Sequence, residues 1–111
     1  MLSQDERLKK KADYDEVFKY GNKARGSNFL SVIRLKEDGK TRVGIITKRA
    51  LGKAVIRNRI KRRLRGAYQK IKSEIESRAD IILIPNVGVL KVEFSQLVTD
   101  LRNIFQKLML L

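Results

Sequence analysis

The chain contains no cysteine, no histidine and no tryptophan, and its single proline is Pro85. Without cysteine there is no disulfide framework, no thiolate nucleophile and no cysteine-based metal site. Without histidine there is no imidazole acid or base, and the ordinary zinc ligand sets cannot be assembled. Both absences suit a reducing cytoplasm, which is the expected location. Residues 1–11 are polar and charged with no apolar stretch of the kind a signal peptide carries. No apolar run approaches the ~20 residues needed to cross a bilayer. Neither a membrane nor a small-molecule substrate is an expected partner.

Acidic residues are scarce as well. Against 26 Lys plus Arg stand 12 Asp plus Glu, a formal net charge of +14 on 111 residues. A compact domain with that imbalance repels itself, and a polyanion relieves the repulsion. The length fits one domain over 1–111, with 42% hydrophobic residues for one modest core. Residues 1–11 are expected to be loosely attached.

The elements follow from periodicity. Asp13 with Glu16 reads as a capping-box variant opening a short helix that Gly21 ends. Tyr14, Val17 and Phe18 share one face of it, and a core-facing stripe is a sufficient reading of the two aromatics at this point. Residues 29–36 alternate, with Phe29, Ser31, Ile33 and Leu35 on one face. Asp38-Gly39 is a hairpin turn signal, and Arg42-Val43-Gly44-Ile45-Ile46-Thr47 returns as a strand. The expectation is an antiparallel hairpin over 28–48. Residues 54–78 carry Ile56, Ile60, Leu64, Ala67, Tyr68, Ile71 and Ile75 at spacings of three and four, the buried stripe of a long amphipathic helix. Gly66 interrupts it, for which only close packing or a backbone approach offers a reason. Residues 80–85 form an apolar run ended by Pro85, a buried central strand. From Val92 onward Phe94, Leu97, Val98, Leu101, Ile104, Phe105 and Leu108 mark a last helix. The fold class is α+β: a two-layer α/β sandwich, with helices packed on a small mixed sheet.

Residues 40–73 contain no acidic residue, yet hold half of the basic ones. A solvated helix normally pairs its bases with acids one turn away. Here Arg57, Asn58, Arg59, Lys61, Arg62 and Arg65 lie off or beside the apolar stripe with no such partners. Arginine grips phosphate oxygens through a planar fork, and Asn58 adds a donor and an acceptor. The competing readings are a solvated face, an anionic membrane surface and an acidic protein. Nucleic acid outweighs them on this charge pattern. No recognition helix after a turn and no dimer seam points to the DNA major groove, so structured RNA is favoured. Lys48-Arg49-Ala50-Leu51-Gly52-Lys53 looks superficially like a phosphate-binding loop. It lacks the earlier glycine, where Thr47 stands, and the hydroxyl residue, where Ala54 stands, so nucleotide hydrolysis is rejected. Lys53 at the helix start remains placed to hold one phosphate. The acids are scattered outside the basic span, so a metal-dependent nuclease centre on this chain is not expected.

The run 48–65, KRALGKAVIRNRIKRRLR, resembles the signature of the bacterial ribonuclease P protein family, centred on Arg57-Asn58-Arg59 and Ile60-Lys61-Arg62. The lead-in Gly52-Lys53-Ala54, the strand Arg42-Val43-Gly44 and the pair Val17-Phe18 after Asp13-Tyr14 agree with it. Tyr14 stands where that family commonly has Phe, Arg49-Ala50 replaces a common Lys-Lys pair, and Gly66 replaces a polar residue. The resemblance implies a left-handed crossover through the basic helix. It implies a catalytic RNA as partner, precursor tRNA as substrate, and hydrolytic removal of the 5′ leader by the RNA and its Mg²⁺ ions, with no cofactor on the protein. It also assigns Lys53, Arg57, Asn58, Arg59, Lys61, Arg62 and Arg65 to the catalytic RNA. Tyr14, Phe18 and Phe29 would line a cleft for the single-stranded leader, with Lys48 at its edge. The alternative is a ribosomal or other structural RNA-binding protein with no part in cleavage.

Overall fold

A computed structural model describes residues 2–108. Three helices, α1 (Lys11–Tyr20), α2 (Ala54–Ile71) and α3 (Phe94–Lys107), accompany four strands. The strands are β1 (Asn22–Arg25), β2 (Phe29–Lys36), β3 (Arg42–Ile45) and β4 (Arg78–Pro85), in the sheet order β1-β2-β4-β3. The class is the expected α+β, with a mixed sheet. α2 and α3 cover one face, and α1 lies across part of the other.

The expected hairpin does not form. Gly39 does turn the chain, with φ +81°, but β2 and β3 are separated by β4. β4 pairs antiparallel with β2 along its whole length, from Phe29↔Pro85 to Lys36↔Arg78, and parallel with β3. The physical reason lies in β4 itself. Residues 79–83 are buried on both faces, and a strand that apolar belongs at the centre of a sheet. β3 and β4 are therefore joined by a parallel crossover through α2. β1 was not legible: in Asn22-Lys23-Ala24-Arg25 only Ala24 is buried, and the strand rests on its pairing with β2.

Strand alternation sorts the core into two clusters. Phe29, Ile33, Ile81 and Leu83 meet Ile60, Leu64 and Ile71 of α2 and Leu97, Leu101 and Phe105 of α3. Tyr68 and Phe105 lock the two helices edge to face, 6.3 Å between centroids. On the other face Val17 of α1 packs on Val32, Ile82 and Leu8. α2 stops at Ile71, short of the expected 78. A 3₁₀ turn over Lys72–Glu74 follows, and Ile75 still packs against the core from that turn.

The first residues are docked rather than loose. Leu2 and Leu8 are each 5% exposed. The Leu8 amide donates to the Val43 carbonyl at 3.0 Å, so this segment covers the outer edge of β3. Lys40–Asp5 (2.7 Å) and Lys72–Glu6 (3.0 Å) pin it further. The capping box sits here too, between Ser3 and Glu6. It is not at Asp13 and Glu16, which lie inside α1 and pair instead with Arg42 and Arg34. At Gly66 an added Cβ would sit 3.5 Å from the Phe94 ring, an ordinary contact, so packing does not require glycine there.

Candidate nucleic-acid interface

α2 presents the basic face. Its apolar stripe of Ile60, Leu64, Ala67 and Ile71 is fully buried, and this fixes where the other side chains go. Asn58, Arg59 and Arg62 are exposed, while Arg57, Lys61 and Arg65 are half-buried along the borders. None of these six side chains has an ion pair or hydrogen bond among the described residues, nor has Lys53 at the helix start. No acidic residue occupies the first turn, so the helix begins with its positive dipole end uncompensated. Gly52, at φ +134°, makes the turn that leads into it.

Arg63 behaves differently. It donates to the Val92 carbonyl and stacks 5.9 Å from the Phe94 ring centroid, so it ties α2 to α3. Three carboxylates elsewhere in the fold are already engaged. Asp80 takes both nitrogens of an Arg42 fork (2.9 and 2.8 Å) and Lys36 (2.9 Å), Asp13 also takes Arg42, and Glu6 takes Lys72.

The four residues expected to form a leader cleft fall into two groups: Phe29 and Lys48 border one groove, while Tyr14 and Phe18 lie on α1 outside its lining. Phe18 is 39% exposed on α1 and free to stack. Tyr14, one turn earlier, lies half-buried against Gly44, and burial raises its phenol above the usual value. Its hydroxyl donates to the Leu8 carbonyl at 3.1 Å. Lys48 is exposed. Phe29 is 2% exposed and belongs to the core under α2 and α3. The assignment of Phe29 to base stacking is therefore corrected: strand parity turns it to the face opposite Val32 and α1. It borders a groove of about 370 Å³ with Arg25, Leu30, Lys48 and Ile84, of which only Lys48 was singled out from the sequence. Leu30 and Ile84 are cross-strand partners on the α1 face. Their alternation was readable, but their half-exposure was not.

A family model described as Ribonuclease P matches residues 2–109. The chain belongs to the ribonuclease P protein family. It is 32% identical over 108 residues to the ribonuclease P protein component of Syntrophomonas wolfei, covering 96% of this chain and 90% of that one. It is 36% identical over 103 residues to that of a Geobacter species, covering 93% and 88%. Among solved structures, the Staphylococcus aureus RNase P protein superposes with a TM-score of 0.80 at 29% identity, covering 95% of this chain and 96% of that one. The Thermotoga maritima RNase P protein gives 0.80 at 30%, covering 92% and 96%. Family membership makes the chain a protein subunit of the endoribonuclease holoenzyme, a ribonucleoprotein of tRNA processing, and so gives it an RNA partner. No described helix is long and apolar enough to cross a membrane.

Proposed function

We propose that this chain binds the catalytic RNA of ribonuclease P through the outer face of α2, and the 5′ leader of precursor tRNA beside α1. It thereby assists the endonucleolytic cut that leaves a mature tRNA 5′ end. The observation that carries the reading is the set of unpaired side chains on α2: Arg57, Asn58, Arg59, Lys61, Arg62 and Arg65, with Lys53 at the helix start. Like charges one turn apart destabilise a free helix by about 0.2–0.5 kcal/mol a pair. Phosphates reverse the sign of that term.

Phe18, exposed on α1, is the stacking residue of the leader site, Lys48 is an exposed cation at its edge, and Tyr14 shapes the wall. The chain's part is electrostatic and positional: it neutralises phosphates where two RNAs meet and holds the leader strand. Mg²⁺ would be held by the RNA, which supplies the hydrolytic chemistry. A cytoplasmic location follows from such partners.

Salt dependence tests the reading. With six side chains each meeting a phosphate, log affinity for the RNA falls against log salt with a slope of about −4 to −5. Replacing Arg59 and Arg62 by Ala flattens the slope while the circular-dichroism spectrum stays that of the folded chain. A wild-type slope near zero contradicts the proposal.

A further inference from the structure

α2 carries a glycine that its own chain does not need. Gly66 lies inside the helix, where only proline is less favourable than glycine. No positive φ demands it there. A Cβ built on it meets only the Phe94 ring, at 3.5 and 3.6 Å, which is ordinary contact. Alanine would fit the folded chain and favour the helix, yet glycine stands in its place.

The position of Gly66 on the helix supplies a reason. Val55, Arg59, Arg62 and Gly66 follow one another at intervals of four, three and four residues, so they form one ridge. The stripe of Ile60, Leu64, Ala67 and Ile71 is buried, which turns this ridge outward. Arg59 and Arg62 occupy its middle, exposed and without an ion pair or hydrogen bond among the described residues. Its two ends carry no charge. Val55 is 68% exposed, the most of any large hydrophobic among the described residues, and a β-branched residue there does not favour the helix. Gly66 leaves a bare dent beside the half-buried Phe94 ring. At about 1.5 Å per residue the ridge runs about 16 Å, longer than a single phosphate contact needs. No carboxylate stands anywhere on α2. A ridge that is cationic in the middle and uncharged at both ends suits the wide, shallow minor groove of an RNA helix, which presents ribose hydroxyls and base edges. The deep, narrow major groove of RNA does not admit side chains.

We infer that the ridge from Val55 to Gly66 lies along the minor groove of a helical segment of the RNA, with the RNA backbone against the bare Cα of Gly66 and a ribose face against Val55. The inference rests on the RNA-binding reading above and adds to its phosphate contacts two that carry no charge. Arg59 and Arg62 reach the phosphates on the rims of the groove. Gly66 permits the close approach, because a Cβ would fill the dent that the RNA enters. Val55 buries its methyl groups on the sugar, a contact that salt does not screen. Arg63 is a positioning residue: it donates to the Val92 carbonyl and lies 5.9 Å from the Phe94 ring centroid, which holds that ring as the wall of the dent.

The test measures binding of the full chain to a bacterial ribonuclease P RNA over a range of salt, beside urea unfolding of the same variants. Gly66→Ala raises the urea midpoint, since alanine favours the helix. It also weakens RNA binding about tenfold at every salt concentration, the order of an overpacked contact. Val55→Ser leaves the urea midpoint near the wild-type value and weakens binding about tenfold, the order of one aliphatic side chain left unburied. In both variants the log–log salt slope stays that of the wild type, because no phosphate contact is lost. Loss of Arg59 and Arg62, by contrast, flattens the slope. Wild-type protein also protects riboses on both strands of one RNA helix from hydroxyl radicals, and Gly66→Ala exposes them again. A lowered urea midpoint in Gly66→Ala assigns the glycine to the chain's own packing and overturns the approach at Gly66. Wild-type affinity in either variant overturns the contact given to that residue, and protection confined to single-stranded RNA overturns the groove. A steep wild-type salt slope with both variants at wild-type affinity overturns the ridge contact alone, whereas a flat wild-type slope overturns RNA binding itself.

Discussion

The ring of Tyr14 rests on the bare backbone of Gly44. A Cβ on Gly44 would stand 2.6 Å from the ring carbon Cζ and closer still to the hydroxyl oxygen. This contact lets one side chain of α1 reach across β3 to the Leu8 carbonyl, so helix, edge strand and first segment are joined at one point. Gly44→Ala forces the ring away. We expect a loss of about 1–3 kcal/mol in urea unfolding, the usual cost of overpacking, together with faster hydrogen exchange at the Leu8 amide. Wild-type stability with unchanged exchange would show that the ring is not seated there.

Phe18 and Phe29 should part company under mutation. Phe29→Ala opens a cavity in the main core and costs about 3–5 kcal/mol of stability. Phe18→Ala removes a surface ring and should leave the unfolding midpoint nearly unchanged. It should also weaken binding of a precursor tRNA with a leader by about 1–3 kcal/mol, the worth of one stacked base, and leave leaderless tRNA unaffected. Equal losses for both tRNAs would remove Phe18 from the leader site.

Asp80 should set the acid limb of stability. Burial pushes its pKa upward, but hydrogen bonds and charge from Arg42 and Lys36 outweigh that and hold it below 3.8. A carboxylate whose folded pKa is depressed contributes stability that is full above its unfolded value and is lost as pH falls through the folded one. Stability should therefore hold from pH 7 down to the usual carboxylate range and fall below it. Asp80→Asn leaves Arg42 and Lys36 without their shared partner, costs about 3 kcal/mol at neutral pH and flattens that fall. Asp5 and Glu6 are also lowered, chiefly by hydrogen bonds from Lys40 and Lys72; Asp5 is open to water and contributes little, and Glu6, half-buried, adds to the same acid limb. Urea midpoints between pH 2 and pH 7 decide the matter; an Asn variant with an unchanged acid limb would contradict it.

How far the sequence reached depends on which physics each element obeys. α2 and α3 were legible because a one-sided apolar stripe is a local pattern. β4 was legible because five successive buried residues leave few alternatives. The partnering of β3 was not, since Asp38-Gly39 specifies a turn and says nothing about what inserts between the strands it joins. The docking of residues 2–10 hung on two leucines in a charged run, too sparse to form a period. At the site, the basic residues of α2 could be named because repulsion among unpaired charges is written in composition. Phe29 misled because its cleft role came from the resemblance, although alternation already set it on the face of Ile33, which is the buried one.

The most direct test of the central claim is cleavage of a precursor tRNA by a bacterial ribonuclease P RNA at low Mg²⁺, with and without this chain. The account predicts that correct 5′ ends appear at an appreciable rate only when both are present, and that Arg59→Ala with Arg62→Ala abolishes the gain. A chain that binds the RNA yet leaves the cleavage rate unchanged would contradict it.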